Sequence, residues 1–252
     1  MSRIKFLNTY IDNLTMQEAL DAAERLINKA GCSYVVTPNL DHIVTLENDP
    51  EFVKAYSNAD LILTDGKPLI WISKLLKNPI KEKISGSDFF PLMCEMCAKK
   101  GYTIFIFGAG EGIAEKAAKN LCAKFKGQKI VGTYSPPIGF EKNTEELKKI
   151  KNLIKTAKPD VLAVSLGSPK GEKFLYRYLN EYEVSLGISI GATIDFEAGN
   201  LKRAPKWMAN HGLEWFFRLI QDPKRLANRY WNDAIKIIPI VRKYRKESRG
   251  KI

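Results

Sequence analysis

A lone carboxylate, Asp65, stands where a short apolar run, Leu61-Ile62-Leu63, gives way to Thr64-Asp65-Gly66. Such a run has the character of a buried strand, and Pro68 then opens a helical pattern that reaches Leu76. An acid at the carboxyl end of a strand faces the crevice where open α/β sheets bind ligands, and there it can take a proton as a general base. The same Asp-Gly pair also suits a turn or a helix cap. A second strand end of similar character favours the chemical reading: Val35-Val36 runs into Thr37-Pro38-Asn39.

Other strand ends stop in small polar groups as well. Lys83-Ile-Ser85-Gly86-Ser87-Asp88 precedes a helix, with Ser87 or Asp88 as the expected cap and Gly86 allowing close backbone approach. Gly108-Ala-Gly110-Glu-Gly112 lies between a strand and a helix, where helix N–H groups can cradle a diphosphate. Its alternative is a tight turn with no ligand. Gly167-Ser-Pro-Lys170 offers a cation that meets either a phosphate or only solvent, with Ser168 as the expected cap and Pro169 as the first helical residue. Gly191-Ala-Thr-Ile-Asp195 follows the last strand.

The elements that must position these groups alternate, strand then helix, from Ser33 to Ile190, and Thr15-Met-Gln-Glu18 forms a capping box at the start of the first helix. This predicts an α/β fold, Rossmann-like, with a mostly parallel sheet and helices on both faces. After Pro205 there are no strand signals. Helices are expected over Trp207–Gln221 and Pro223–Ile238, the second broken by Pro239, giving a C-terminal helical appendage. The expected division is residues 1–200 as the catalytic domain and 201–252 as the appendage.

Charge sharpens that division. Fourteen of the forty Lys and Arg residues, but only four of the twenty-eight acids, follow residue 201, together with three of the four tryptophans. A basic, aromatic tail on a nearly neutral body suits a polyanionic partner, an anionic membrane or a nucleic acid. No recognised nucleic-acid motif accompanies it, which favours the membrane. No stretch approaches the length of a membrane span, and the N-terminus lacks the apolar core of a signal peptide, so the cytoplasm is the expected compartment. Cys94 and Cys97 form a single CxxC read as inert helix cysteines, with zinc or redox use as the alternative.

Taken together, Thr37-Pro38-Asn39, Asp65-Gly66, Ser85-Gly86-Ser87-Asp88, Gly167-Ser-Pro-Lys170, Gly191 to Asp195 and the long block from Gly199 through Arg229 resemble the bacterial WecG/TagA/CpsF glycosyltransferases over nearly the whole chain. The resemblance implies an inverting, metal-free transfer of a sugar, N-acetylmannosamine being one candidate, from a UDP-sugar to a polyprenyl-diphosphate-linked sugar on the cytoplasmic membrane face. It implies no cofactor beyond the UDP-sugar donor. Asp65 becomes the base, with Thr37 beside it. The substrate-binding candidates are Asn39, Lys83, Ser87, Asp88, Gly108, Gly110, Lys170, Gly191 and Asp195. Arg218, Arg225 and Arg229 would meet the lipid diphosphate.

Two positions depart from the family pattern: Lys83 stands where Arg is usual, and Gly171 where Gln is usual. Lys83 keeps the charge without the bidentate fork. Gln at position 171 is expected to fit a helix start at little cost. Homo-oligomerisation stays open. The competing classes are a nucleotide-dependent oxidoreductase using the Gly108 loop and a non-enzymatic membrane- or nucleic-acid-binding module. The first lacks an acid in the next strand, Ile130 to Tyr134, where a dinucleotide ribose needs one.

Overall fold

The structure is a computed structural model describing residues 3–249, apart from the side chains of Lys206, Asn210, Arg225 and residues 247–249. The chain begins with an antiparallel hairpin, β1 (Arg3–Phe6) and β2 (Thr9–Asp12), and helix α1 (Met16–Ile27) follows with its Thr15–Glu18 capping box intact. Next come β3 (Ser33–Val36), α2 (Leu40–Leu46), α3 (Pro50–Ser57), β4 (Leu61–Ile62), α4 (Lys67–Leu75) and α5 (Gly86–Lys100). The middle holds β5 (Thr103–Gly108), α6 (Ile113–Lys124), β6 (Lys129–Tyr134), α7 (Thr144–Ala157) and β7 (Val161–Ser165). Helix α8 (Lys170–Tyr182), β8 (Leu186–Ser189) and α9 (Thr193–Glu197) complete the body. The tail is α10 (Lys206–Asn210), α11 (Glu214–Gln221) and α12 (Pro223–Arg249).

Six strands form one parallel sheet in the order β4-β3-β8-β7-β5-β6. Alternation along each strand sends side chains to two cores. Phe105 and Phe107 of β5 join Val36, Ile62 and Val164 beneath α2, α3 and α8, whereas Ile104 and Ile106 join Val35, Leu61 and Ile188 beneath α1, α5 and α6. Both faces are therefore covered, as all-parallel sheets require. β4 is an edge strand, and its outer edge is closed by the hairpin: buried Asp12 accepts from Ile62 N at 2.9 Å and from Nε and Nη2 of Arg3. That contact fixes the strand that ends at Asp65.

The tail packs along the body. Leu226, Asp233, Ile237 and Ile240 are buried, Ile237 and Ile240 within the core under α2, and Lys243 and Tyr244 bond Glu47. Two expectations fail here. Trp207–Gln221 is two helices, because Gly212 takes φ +76° and Leu213 N closes back on Met208 O at 2.8 Å, ending α10. Pro239 lies inside α12 and does not end it. It sits on the exposed side, where the Ile235 carbonyl that loses its partner can face water, and buried Ile237 and Ile240 hold the helix on either side.

The caps also differ from expectation in two places. Ser85, not Ser87 or Asp88, caps α5 by accepting from Asp88 N. Pro169, not Ser168, occupies the cap position of α8, and no side chain caps that helix.

Candidate active site

Asp65 follows β4 and precedes Gly66, which holds the cap position of α4 without any side-chain cap, so the carboxylate is not spent on that helix. Its backbone N–H is tied to Pro38 O at 2.9 Å, which joins the ends of β3 and β4. The side chain opens into a cavity of about 350 Å³ between α2, α4 and the tail helices. Asn39, Asp41, Lys67, Trp71 and Lys83 line it from the body. Glu214, Trp215, Arg218, Arg229, Tyr230 and Asp233 line it from the tail.

Electrostatics single out the same residue. Burial pushes the Asp65 carboxyl up to about 6, Glu214 and Asp88 push the same way, and Arg218 and Lys83 pull against them. The Lys83 side chain is only 15% exposed, and its ammonium bridges two carboxylates, Asp88 at 2.7 Å and Glu214 at 3.7 Å. Burial acts to lower it, but the Asp88 hydrogen bond and the surrounding carboxylates hold it above its ordinary value. Burial acts in the opposite sense on Asp88, and the Lys83 and Ser85 hydrogen bonds overcome it, bringing that carboxyl down to about 2. Arg203 also pairs with Asp88, so the segment entering the tail is clamped to the start of α5.

The tail adds its own contacts. Arg218 lies over the Phe196 ring at 5.1 Å, and Trp215 meets Tyr230 edge-on at 6.1 Å. Burial and the facing Asp41 carboxylate raise Asp233 to about 6, against Arg229 and Lys236. The Arg229 Nε is buried with no protein partner among the described residues, a donor left for a ligand.

The sequence candidates divide accordingly. Asp65, Asn39, Lys83, Arg218 and Arg229 come together in the cavity wall. The Asn39 carbonyl caps α2 through His42 N, which leaves its amide N–H groups for a ligand. Thr37 is buried next to it, against the start of α5, where a Cβ on Gly86 would lie 3.5 Å from its hydroxyl. Ser87 and Asp88 belong to the Lys83 cluster behind the wall. Gly191 and Asp195 follow β8, the neighbour of β3. The Arg225 side chain lies outside the described residues.

Two further candidates have structural duties. Lys170 pairs with Glu141 at 3.1 Å. Gly108 has φ +102°, and a Cβ there would stand 2.5 Å from Ser165 O, so its glycine is required for packing on the next strand. Gly110 lies in the same turn, its carbonyl bonded by the Ser135 hydroxyl. That closed turn is poor ground for the oxidoreductase reading. Cys94 and Cys97 are core residues, and burial pushes their thiols up, Cys97 to about 12, which fits the inert reading.

Sequence reasoning missed Asp41, Trp71, Glu214 and Asp233 as parts of this site. Of the cavity residues, Asp65 and Asn39 had a local signal, each at a strand end. Asp41, Trp71, Glu214 and Asp233 reach the cavity through the packing of α2, α4, α11 and α12, which periodicity does not specify.

A chamber of this size, with the Asp65 and Asp233 carboxyls both raised to about 6, several cations and an apolar mouth, can deprotonate a hydroxyl beside an anionic group. Known proteins resemble the chain as a whole. The glycosyl transferase WecG/TagA/CpsF family matches residues 4–251. The N-acetylglucosaminyldiphosphoundecaprenol N-acetyl-beta-D-mannosaminyltransferase of Bacillus subtilis strain 168 is 30% identical over 203 residues, 81% of this chain and 75% of that protein. Its namesake in Bacillus spizizenii strain W23 is 30% identical over 193 residues, 77% and 73% of the two chains. The protein of that name in Staphylococcus aureus strain MW2 is 23% identical over 241 residues, 95% and 90% of the two chains.

The Gly171 departure carries a structural cost that its helix-start position hides. A Cβ there would lie 2.7 Å from the Ser189 hydroxyl, which donates to buried Glu172 at 3.0 Å. Gly171→Gln, and equally Gly171→Ala, should therefore lower unfolding free energy by about 1–3 kcal/mol, the usual cost of overpacking. Urea denaturation measures it, and an unchanged midpoint for Gly171→Ala would contradict the close approach.

Proposed function

The chain belongs to the WecG/TagA/CpsF family of glycosyltransferases, and we propose that it moves N-acetylmannosamine from a UDP-sugar to N-acetylglucosamine carried on a polyprenyl diphosphate. The sugars are taken from the names of its relatives. The observation that carries the mechanism is the position of Asp65, a carboxylate held near neutrality in a cavity it shares with Lys83, Arg218 and Arg229.

In the proposed step Asp65 takes the proton of the acceptor hydroxyl. The freed oxygen forms a bond to the anomeric carbon on the face opposite the nucleotide. The bond from that carbon to the UDP oxygen breaks, UDP leaves with the electron pair, and the anomeric centre is inverted. A base with a pKa near 6 is mostly ionised at neutral pH yet still basic enough to assist. Lys83 and the first turn of α5 favour the charge that develops on the departing diphosphate. Arg218 and Arg229 receive the acceptor's own diphosphate, where guanidinium forks match the oxygens, and Arg225 joins them by resemblance. Asn39 offers its amide to a sugar hydroxyl, and Thr37 supports the pocket floor. The donor nucleotide is assigned to the adjoining strand ends at Ser87, Gly191 and Asp195.

Residues 1–200 then serve as the catalytic body and 201–252 as an appendage that docks peripherally on the cytoplasmic face of the membrane. No helix among the described residues is long and apolar enough to cross a membrane. Helix α12 presents a second apolar stripe opposite its buried one, with Trp231, Ile235 and Ile238 exposed, and α11 exposes Phe216 and Ile220. Tryptophans suit the headgroup region, and each nearby Lys or Arg adds about 1 kcal/mol of attraction to an anionic surface.

Asp65→Asn should preserve the fold and cut UDP release, measured with UDP-N-acetylmannosamine and a short polyprenyl-diphosphate-N-acetylglucosamine acceptor, by about 10²–10⁴. Near-normal turnover would remove Asp65 from the mechanism. The protein should float with anionic vesicles at low salt, less so at high salt, and less again as Trp231→Asp. Equal flotation of both proteins at all salt concentrations would count against the outward stripe.

A further inference from the structure

The cavity's mouth has a chemistry its floor does not explain. Trp71 on α4 of the body and Trp215 on α11 of the tail both line it, yet they remain 53% and 44% exposed. Pro68, Leu40, Ala209, Tyr230 and Ala234 extend the same apolar wall. The two tryptophans are held in place from opposite sides. Gly212 brings the turn before α11 so close to α4 that a Cβ on it would lie 3.1 Å from the Trp71 ring and from the Lys67 side chain. Trp215 is braced edge-on by Tyr230 of α12.

We propose that Trp71 and Trp215 form a portal for the first isoprene units of the acceptor lipid, with the diphosphate inside on the cations and the hydrocarbon leaving between the two rings. This rests on the acceptor reading above and adds to it a subsite for the chain.

The occupant follows from the two halves of the cavity. The Arg229 Nε, buried without a partner among the described residues, offers a donor to an anion beside Arg218, and an apolar rim gives a free phosphate nothing. A neutral lipid would have no use for the cations. An isoprenyl diphosphate has its charge at one end and hydrocarbon at the other, in the order that the cavity presents. About 350 Å³ is at the small end for a ligand site, enough for a sugar diphosphate headgroup and not for a long hydrocarbon chain as well. The chain must leave, and the mouth is where apolar surface is available to it. Continuity favours the same direction, since the exposed apolar residues of α11 begin at Phe216, directly after Trp215.

The test is calorimetric titration of the full-length protein with dimethylallyl diphosphate, one isoprene unit, and farnesyl diphosphate, three units, in detergent-free buffer without vesicles. The wild type should bind farnesyl diphosphate on the order of tenfold more tightly, or better, as expected from burying even a few methylenes. Trp71→Ala and Trp215→Ala should each bring that ratio towards one, and Trp71→Phe should keep most of it. Equal affinity of the wild type for the two ligands would overturn the portal. So would a chain-length preference that survives both alanine variants while their flotation with vesicles falls, because the rings would then serve only the membrane. A wild type that shows the preference but releases no UDP with any acceptor would support the portal while defeating the transfer reading.

Discussion

The site depends on keeping one carboxylate desolvated without neutralising it. A buried acid normally gains a cation partner or gives up its charge. Here Lys83 is already engaged, bridging Asp88 and Glu214, and Arg218 acts on Asp65 without an ion pair to it, so the carboxylate feels positive charge without being neutralised. Burial then dominates, and the carboxyl settles near 6. An Arg at position 83 would offer a wider fork to the same carboxylates. The Lys present here is a point charge that two of them can share.

That arrangement needs both parts of the chain. The parallel sheet brings Asp65 and Asn39 to neighbouring strand ends, and the Asp12 contact to Ile62 N steadies the edge strand behind Asp65. The tail supplies the enclosure, together with Glu214, Arg218 and Arg229. Helix α12 serves both directions, because its buried stripe closes the core under α2 while its outer stripe is free for a membrane. Burial of Ile237 and Ile240 makes the tail part of the folded body's packing, not a segment hung from it.

Much of the scaffold was legible because local rules and tertiary packing agree there. Val35-Val36 before Thr37 and Leu61-Ile62 before Asp65 are strands ending in polar groups, and the Thr15–Glu18 box is where the sequence puts it. The tail was less legible. An amphipathic pattern tells which face is apolar but not what covers it, and α12 has two such faces. The Gly212 break arises from a close approach to Lys67 and Trp71, residues far away in sequence. Lys170 has the local look of a phosphate ligand, but Glu141, in the short 3-10 helix Phe140–Lys142, takes it. Glu214 looked like one more charge on a basic helix, although it is the tail's main electrostatic contribution to the base.

The central claim is that the tail tunes the base, and the pH dependence of kcat/KM tests it most directly. That profile reports the free enzyme's essential groups. Asp65 acts ionised, so activity should fall on acidification along a limb with an apparent pKa of about 6. Glu214 raises that value, so Glu214→Gln should move the limb to lower pH and keep the enzyme active in more acid solution. A wild-type limb at the ordinary carboxylate position, or one that stays in place in Glu214→Gln, would contradict the account.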